Sequence, residues 1–76
     1  MHRYRLTHTM VMPISGSALR QVRQAKFLSQ RVLAKEAGVD HSTIYRLERG
    51  GQQATLSTIR KLAAALGVEP AELVVK

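Results

Sequence analysis

Seventy-six residues suffice for one domain but are too few to enclose both a sizeable core and a separate enzymatic cleft, so the function is expected at the surface. Twelve Lys and Arg against five acids leave a net charge of +7, which favours a polyanionic partner, either nucleic acid or an acidic membrane. There is no cysteine, and His2, His8 and His41 lack zinc-ligand spacing, so neither a disulfide framework, a metal site nor a cofactor is expected.

Residues 1 to 16, MHRYRLTHTMVMPISG, place Arg3 and Arg5 ahead of a short apolar stretch. The stretch is too short for a secretion signal and is interrupted by Thr9 and Pro13. No acid precedes Glu36, which also suits an organellar transit peptide, and a start at Met10 or Met12 explains the segment equally well. It reads as a flexible basic tail. No run approaches the ~20 apolar residues needed to cross a bilayer.

From Ser17 onward apolar residues recur three and four apart, the period of helices, with no alternating run of strand length. A first helix is expected over 17 to 26, with Leu19 and Val22 inward. Ser29 is a good N-cap for a second helix that runs to Ala37 and is ended by Gly38. Asp40 can cap a third helix over 41 to 49, with Ile44 and Leu47 inward, and Gly50 and Gly51 terminate it. Gln52 and Gln53 continue as a flexible loop. Thr55 opens a fourth helix whose apolar face is Ile59, Leu62, Ala63 and Leu66, and Gly67 closes it. Glu69 and Pro70 begin a last turn or two, Pro70 suiting a first helical position. The expected fold is therefore all-α, a compact five-helix domain over residues 17–76 after a tail over 1–16.

The informative segment is Gln30 to Arg49, QRVLAKEAGVDHSTIYRLER, in which two short helices meet at the turn Gly38, Val39, Asp40, with the small Ala34 where they cross. With its flanks, LSQRVLAKEAGV, then STIYRLERG, then LSTIRKLAAALGV, the chain resembles the lambda-repressor-like family that includes Cro and the XRE-type helix-turn-helix regulators. The resemblance covers roughly Leu19 to Leu73. It implies that His41, Ser42 and Arg46 face base edges, that Gln30, Thr43 and Arg49 lie nearer the phosphates, and that Arg23 and Glu48 form a buried ion pair of structural purpose. Phe27 departs from the family pattern where many relatives have Gly, as do Val32 in place of a frequent Glu and Ala54 in place of a frequent Pro.

The residues suit those roles on their own chemistry. On a helix over 41–49, positions 42, 45, 46 and 49 are contiguous on the face opposite Ile44 and Leu47. Arg46 can make a bidentate contact to guanine O6 and N7. Tyr45 can stack on a sugar or touch a thymine methyl, or equally cover the edge of the core, whereas Arg20, Arg31, Lys35, Arg60 and Lys61 read as solvated helix-face charges. The implied function is sequence-specific binding of double-stranded DNA by a cytoplasmic transcriptional regulator, a repressor or activator. A homodimer on a two-fold operator is expected, with Leu73, Val74 and Val75, alone or together with the fourth helix, at its interface. The alternative is an antitoxin that holds a protein toxin on the apolar tail or C-terminus. Catalysis is not expected, since no nucleophile, base and orienter assemble from five acids and no Cys. Membrane-surface binding fits the charge, but the apolar residues are committed to a core.

Overall fold

The computed structural model describes residues 10–76, so the expectations for residues 1–9 lie outside the described part. Four helices follow one another: α1 (Gly16–Ala25), α2 (Gln30–Ala37), α3 (His41–Glu48) and α4 (Leu56–Leu66). The strands β1 (Val11–Pro13) and β2 (Gln53–Thr55) pair antiparallel, and a 3-10 turn spans Pro70–Leu73.

The helix boundaries follow side-chain chemistry. The hydroxyls of Ser15, Ser29 and Thr55 accept the backbone N–H of Ala18, Val32 and Thr58, each meeting one of the orphan donors at a helix start. Gly38 ends α2 in the left-handed conformation, φ 72°, and lets the Val39 N–H donate back to the Ala34 carbonyl at 3.0 Å. Asp40 occupies the N-cap position of α3 but its carboxylate forms no capping bond, and the Thr43 N–H donates to the Asp40 backbone carbonyl instead. Phe27, φ 58°, takes the left-handed position after α1 that glycine normally fills, and the residue is 96% exposed.

The inward residues meet in one core. Leu19 of α1, Leu33 of α2, Ile44 and Leu47 of α3, and Ile59, Leu62 and Leu66 of α4 are all essentially fully buried. Val22 and Val39 are half-buried against this cluster.

Four expectations are corrected. The domain is neither all-α nor five-helical, because the last element is a single 3-10 turn and the segment before α1 is extended. Residues 10–16, expected as tail, belong to the fold. Met12 lies opposite Ala54, Ile14 is 2% exposed within the core, and Gly16 already begins α1. The Ile14 N–H donates to the Gln52 carbonyl on one side, while on the other the Ser15 N–H donates to Leu73 and the Val75 N–H to Pro13. The N-terminal segment is thus held between β2 and the C-terminal residues. Pro13 fits because its missing N–H would face the C-terminal side and not β2. Pairing with β1 also makes Gln53 part of a strand and not of a flexible loop. The C-terminal correction is of the same kind: Leu73 is fully buried and Val74 bridges Ile14, so of the three residues expected at an interface only Val75 is exposed.

Gly16 shows how closely the N-terminal segment is packed. A Cβ there would lie 2.7 Å from the Leu47 carbonyl oxygen and 2.9 Å from that of Glu48, both backbone atoms that cannot turn aside.

Ile14→Ala is expected to lower stability by about 3 kcal/mol, as for other buried aliphatic truncations, and Phe27→Gly to raise it by about 0.5–1 kcal/mol by relieving the left-handed strain. Urea denaturation of the two variants beside the parent chain checks both signs.

Candidate nucleic-acid interface

The exposed face of α3 is shaped by what the opposite face buries. Ile44, Leu47 and Glu48 point inward, which leaves His41, Ser42, Tyr45, Arg46 and Arg49 on the exposed arc and Thr43 half-buried at its edge. Asp40 and Gly38 hold the turn that sets α3 against α2, and Ala34, 4% exposed, permits the close crossing. Tyr45 is 54% exposed, and the Arg49 guanidinium stands over its ring, 5.7 Å from the centroid, a cation–π pair one helical turn apart. The ring is therefore available at the surface while Arg49 is tethered beside it.

Behind this arc lies a polar network centred on Glu48. Arg23 of α1 clamps the Glu48 carboxylate with two bonds, Nε to Oε2 at 2.6 Å and Nη2 to Oε1 at 2.9 Å, and donates from Nη1 to the Leu28 carbonyl at 2.8 Å. The Gln30 amide, at the first position of α2, donates from Nε2 to Glu48 Oε1 at 3.0 Å. Arg20 approaches the same oxygen with its Nε at 3.5 Å. One carboxylate thus ties α1, the loop after it, the start of α2 and the end of α3. Burial alone would push the Glu48 carboxyl up, but the hydrogen bonds from Arg23 and Gln30 and the positive charges of Arg23 and Arg20 outweigh it and hold it below the usual carboxylate range. The bond to Glu48 raises the Arg23 guanidinium in turn, against a smaller opposing effect of burial.

The site residues read from sequence therefore fall into three groups. Arg23, Glu48 and Gln30 are in direct contact, Tyr45 and Arg49 pair at the surface, and His41, Ser42 and Arg46 are exposed on the same helix with Thr43 half-buried at their edge. Arg20, read from sequence as a solvated helix-face charge, is exposed but also reaches Glu48. Its spacing of three from Arg23 on one helix is the only sequence signal that both could reach the same acid. Among the described residues no group of His, Cys, Asp and Glu could hold a metal ion, and no helix is long and apolar enough to cross a membrane.

The profile of the XRE-type helix-turn-helix family, HTH_3, matches residues 19–73. The chain belongs to that family. It is 39% identical over 59 residues to the control protein C.BamHI of Bacillus amyloliquefaciens, covering 76% of this chain and 73% of that one. It is 43% identical over 63 residues to the HTH-type transcriptional regulator PrtR of Pseudomonas aeruginosa, covering 82% of this chain but only 24% of PrtR. Among solved structures, the restriction-modification controller protein C.AhdI of Aeromonas hydrophila superposes with a TM-score of 0.71 at 47% identity, covering 75% of this chain and 86% of that one. The domain is thus a helix-turn-helix DNA-binding fold of transcriptional regulators, and it is similar to controller proteins over most of their length.

A group whose folded-state pKa is depressed contributes stability above its unfolded pKa and loses it as pH falls through the folded value. Acid is therefore expected to destabilise the parent chain below about pH 4 more steeply than it destabilises Glu48→Gln. Thermal melts between neutral and acid pH check this. At neutral pH, Arg23→Leu removes the two shortest bonds to the buried carboxylate and its principal counter-charge, and is expected to cost about 3–5 kcal/mol.

Proposed function

We propose that the protein is a sequence-specific reader of double-stranded DNA that regulates transcription as a homodimer on a two-fold operator, in a role close to that of restriction-modification controller proteins. The observation that carries this reading is the exposed arc of α3, four hydrogen-bonding or aromatic side chains, His41, Ser42, Tyr45 and Arg46, projecting from a helix whose other face is locked into the core. A helix of this width fits the major groove, and its side chains have the donors and acceptors that base edges require. The likeness to C.AhdI and C.BamHI over most of the length of each supports the regulatory role.

In this reading His41, Ser42, Arg46 and Tyr45 meet base edges. Gln30, Thr43 and Arg49 contact phosphates, aided at Gln30 by the N–H groups at the start of α2. The dimer follows from length: eight residues of α3 reach only a few base pairs, and two copies about 34 Å apart multiply the specificity. Such a reader works in the cytoplasm, needs no cofactor and catalyses nothing. The antitoxin alternative is weakened at both of its expected surfaces, since Ile14 of the apolar segment and Leu73 and Val74 of the C-terminus are taken up by the fold.

Selection of binding sites from a random duplex library at near-physiological salt tests the reading. A recovered palindrome with half-site centres about 10 base pairs apart supports it, whereas binding without any motif overturns the sequence-reading role. On the recovered site, Arg46→Ala is expected to relax base preference by about 1–3 kcal/mol at one position. Arg49→Ala is expected to weaken all sequences alike and to flatten the salt slope by about one unit. Equal behaviour of the two variants in a competition assay would refute the division of roles.

A further inference from the structure

The Glu48 carboxylate has more positive charge around it than its own neutralisation requires. Arg23 alone occupies both oxygens, and its remaining contact, to the Leu28 carbonyl, leaves that guanidinium internally committed and largely shielded from solvent. Arg20 is different. Its Nε lies 3.5 Å from Oε1, long for a hydrogen bond, its side chain is 54% exposed, and no described group engages its two terminal nitrogens. An exposed guanidinium added to a carboxylate that is already paired contributes little to stability. The cluster of Arg20, Arg23 and Glu48 therefore carries a net positive charge, and the excess resides on Arg20 at the surface.

Arg20 is also placed beside a donor that the proposed function assigns to the DNA backbone. The Gln30 Nε2 and the Arg20 Nε both approach the same oxygen atom, Glu48 Oε1, at 3.0 and 3.5 Å, so the two side chains are immediate neighbours although they come from different helices. Engagement of Oε1 by Nε2 fixes the orientation of the Gln30 amide and leaves its second N–H to point elsewhere. Arg20, Gln24 and Arg49 line one open groove of about 620 Å³ with Glu48 in its wall, which places the two exposed guanidiniums on a common depression between α1 and the end of α3.

From this geometry we propose that Arg20 binds a phosphodiester of the DNA backbone, next to the phosphate met by Gln30, and that Glu48 acts as the positioning residue that aligns both donors. The assignment rests on the DNA-reading function proposed above. It distinguishes Arg20 from Arg60 and Lys61, which are exposed on α4, outside the helix-turn-helix, and have no ion-pair partner among the described residues. A phosphate approaching Gln30 would otherwise meet a carboxylate behind it. The second guanidinium turns that surface from neutral to attractive while leaving the internal pair undisturbed.

The test is the salt dependence of duplex binding by the full chain, measured for the parent, Arg20→Ala, Arg20→Gln and Lys61→Ala on the selected operator and on a random duplex. Each phosphate contact contributes about 0.9 to the slope of log affinity against log salt. Both Arg20 variants are expected to show a slope shallower by that amount on both duplexes, so that the advantage of the parent over either variant shrinks about three- to four-fold between 50 and 200 mM salt. Lys61→Ala should keep the parent slope, and the melting temperatures of the Arg20 variants should stay close to that of the parent. Arg20 variants that keep the parent slope, whether or not their melting temperature falls, overturn the assignment. Absence of salt-dependent duplex binding by the parent itself overturns the DNA-reading function and this inference together, and so separates the two failures.

Discussion

Glu48 stays charged although its side chain is almost wholly withdrawn from water, and the placement of α3 follows from how that charge is compensated. An isolated buried carboxylate would be intolerable, so every approach to it is occupied by a donor: two from Arg23, one from Gln30, and a more distant guanidinium from Arg20. Because these donors come from α1 and from the start of α2, the carboxylate is satisfied only when the end of α3 sits at one distance and angle from both. Apolar packing of Ile44 and Leu47 drives α3 onto the core but is less directional. The ion pair adds the directional constraint, and the close approach of Gly16 to the carbonyls of Leu47 and Glu48 adds a steric one at the same point.

One short helix therefore does two things at once. Its inner residues are fixed by packing and by the carboxylate, and its outer residues inherit that rigidity. Side chains that read a duplex profit from such support, because a displaced donor loses the angular match on which base discrimination depends. The Tyr45–Arg49 contact extends the same economy to the surface, restricting a long flexible side chain beside a flat ring.

The helices were legible in the sequence because their signals are local. Ser29, Gly38, Thr55 and Gly67 mark ends by side-chain or backbone chemistry that needs no tertiary partner, and Ile59, Leu62 and Leu66 repeat at the helical period. The strands were not legible, since Val11–Pro13 and Gln53–Thr55 are too short to show an alternating pattern and each becomes extended only by pairing with the other. Ile14 looked like part of a tail for the same reason: its burial depends on residues about sixty positions away, Leu73 and Val74. In the site, the Arg23 and Glu48 positions came from family resemblance, and their geometry agrees with that placement. The contacts of Gln30 and Arg20 with Glu48 depend on side-chain reach across helices, of which spacing shows only that Arg20 and Arg23 share one face of α1. Asp40 showed the opposite limit, a good capping residue in the capping position whose carboxylate nevertheless makes no cap bond.

The bridge between Ile14 and Val74 brings the two ends of the described chain side by side. Any polypeptide joined before residue 10 and any joined after residue 76 would leave the domain from neighbouring points, well spaced along the chain but adjacent in space. A short linker between these ends, with the chain reopened at an exposed turn elsewhere, would therefore suit a circularly permuted form of the domain.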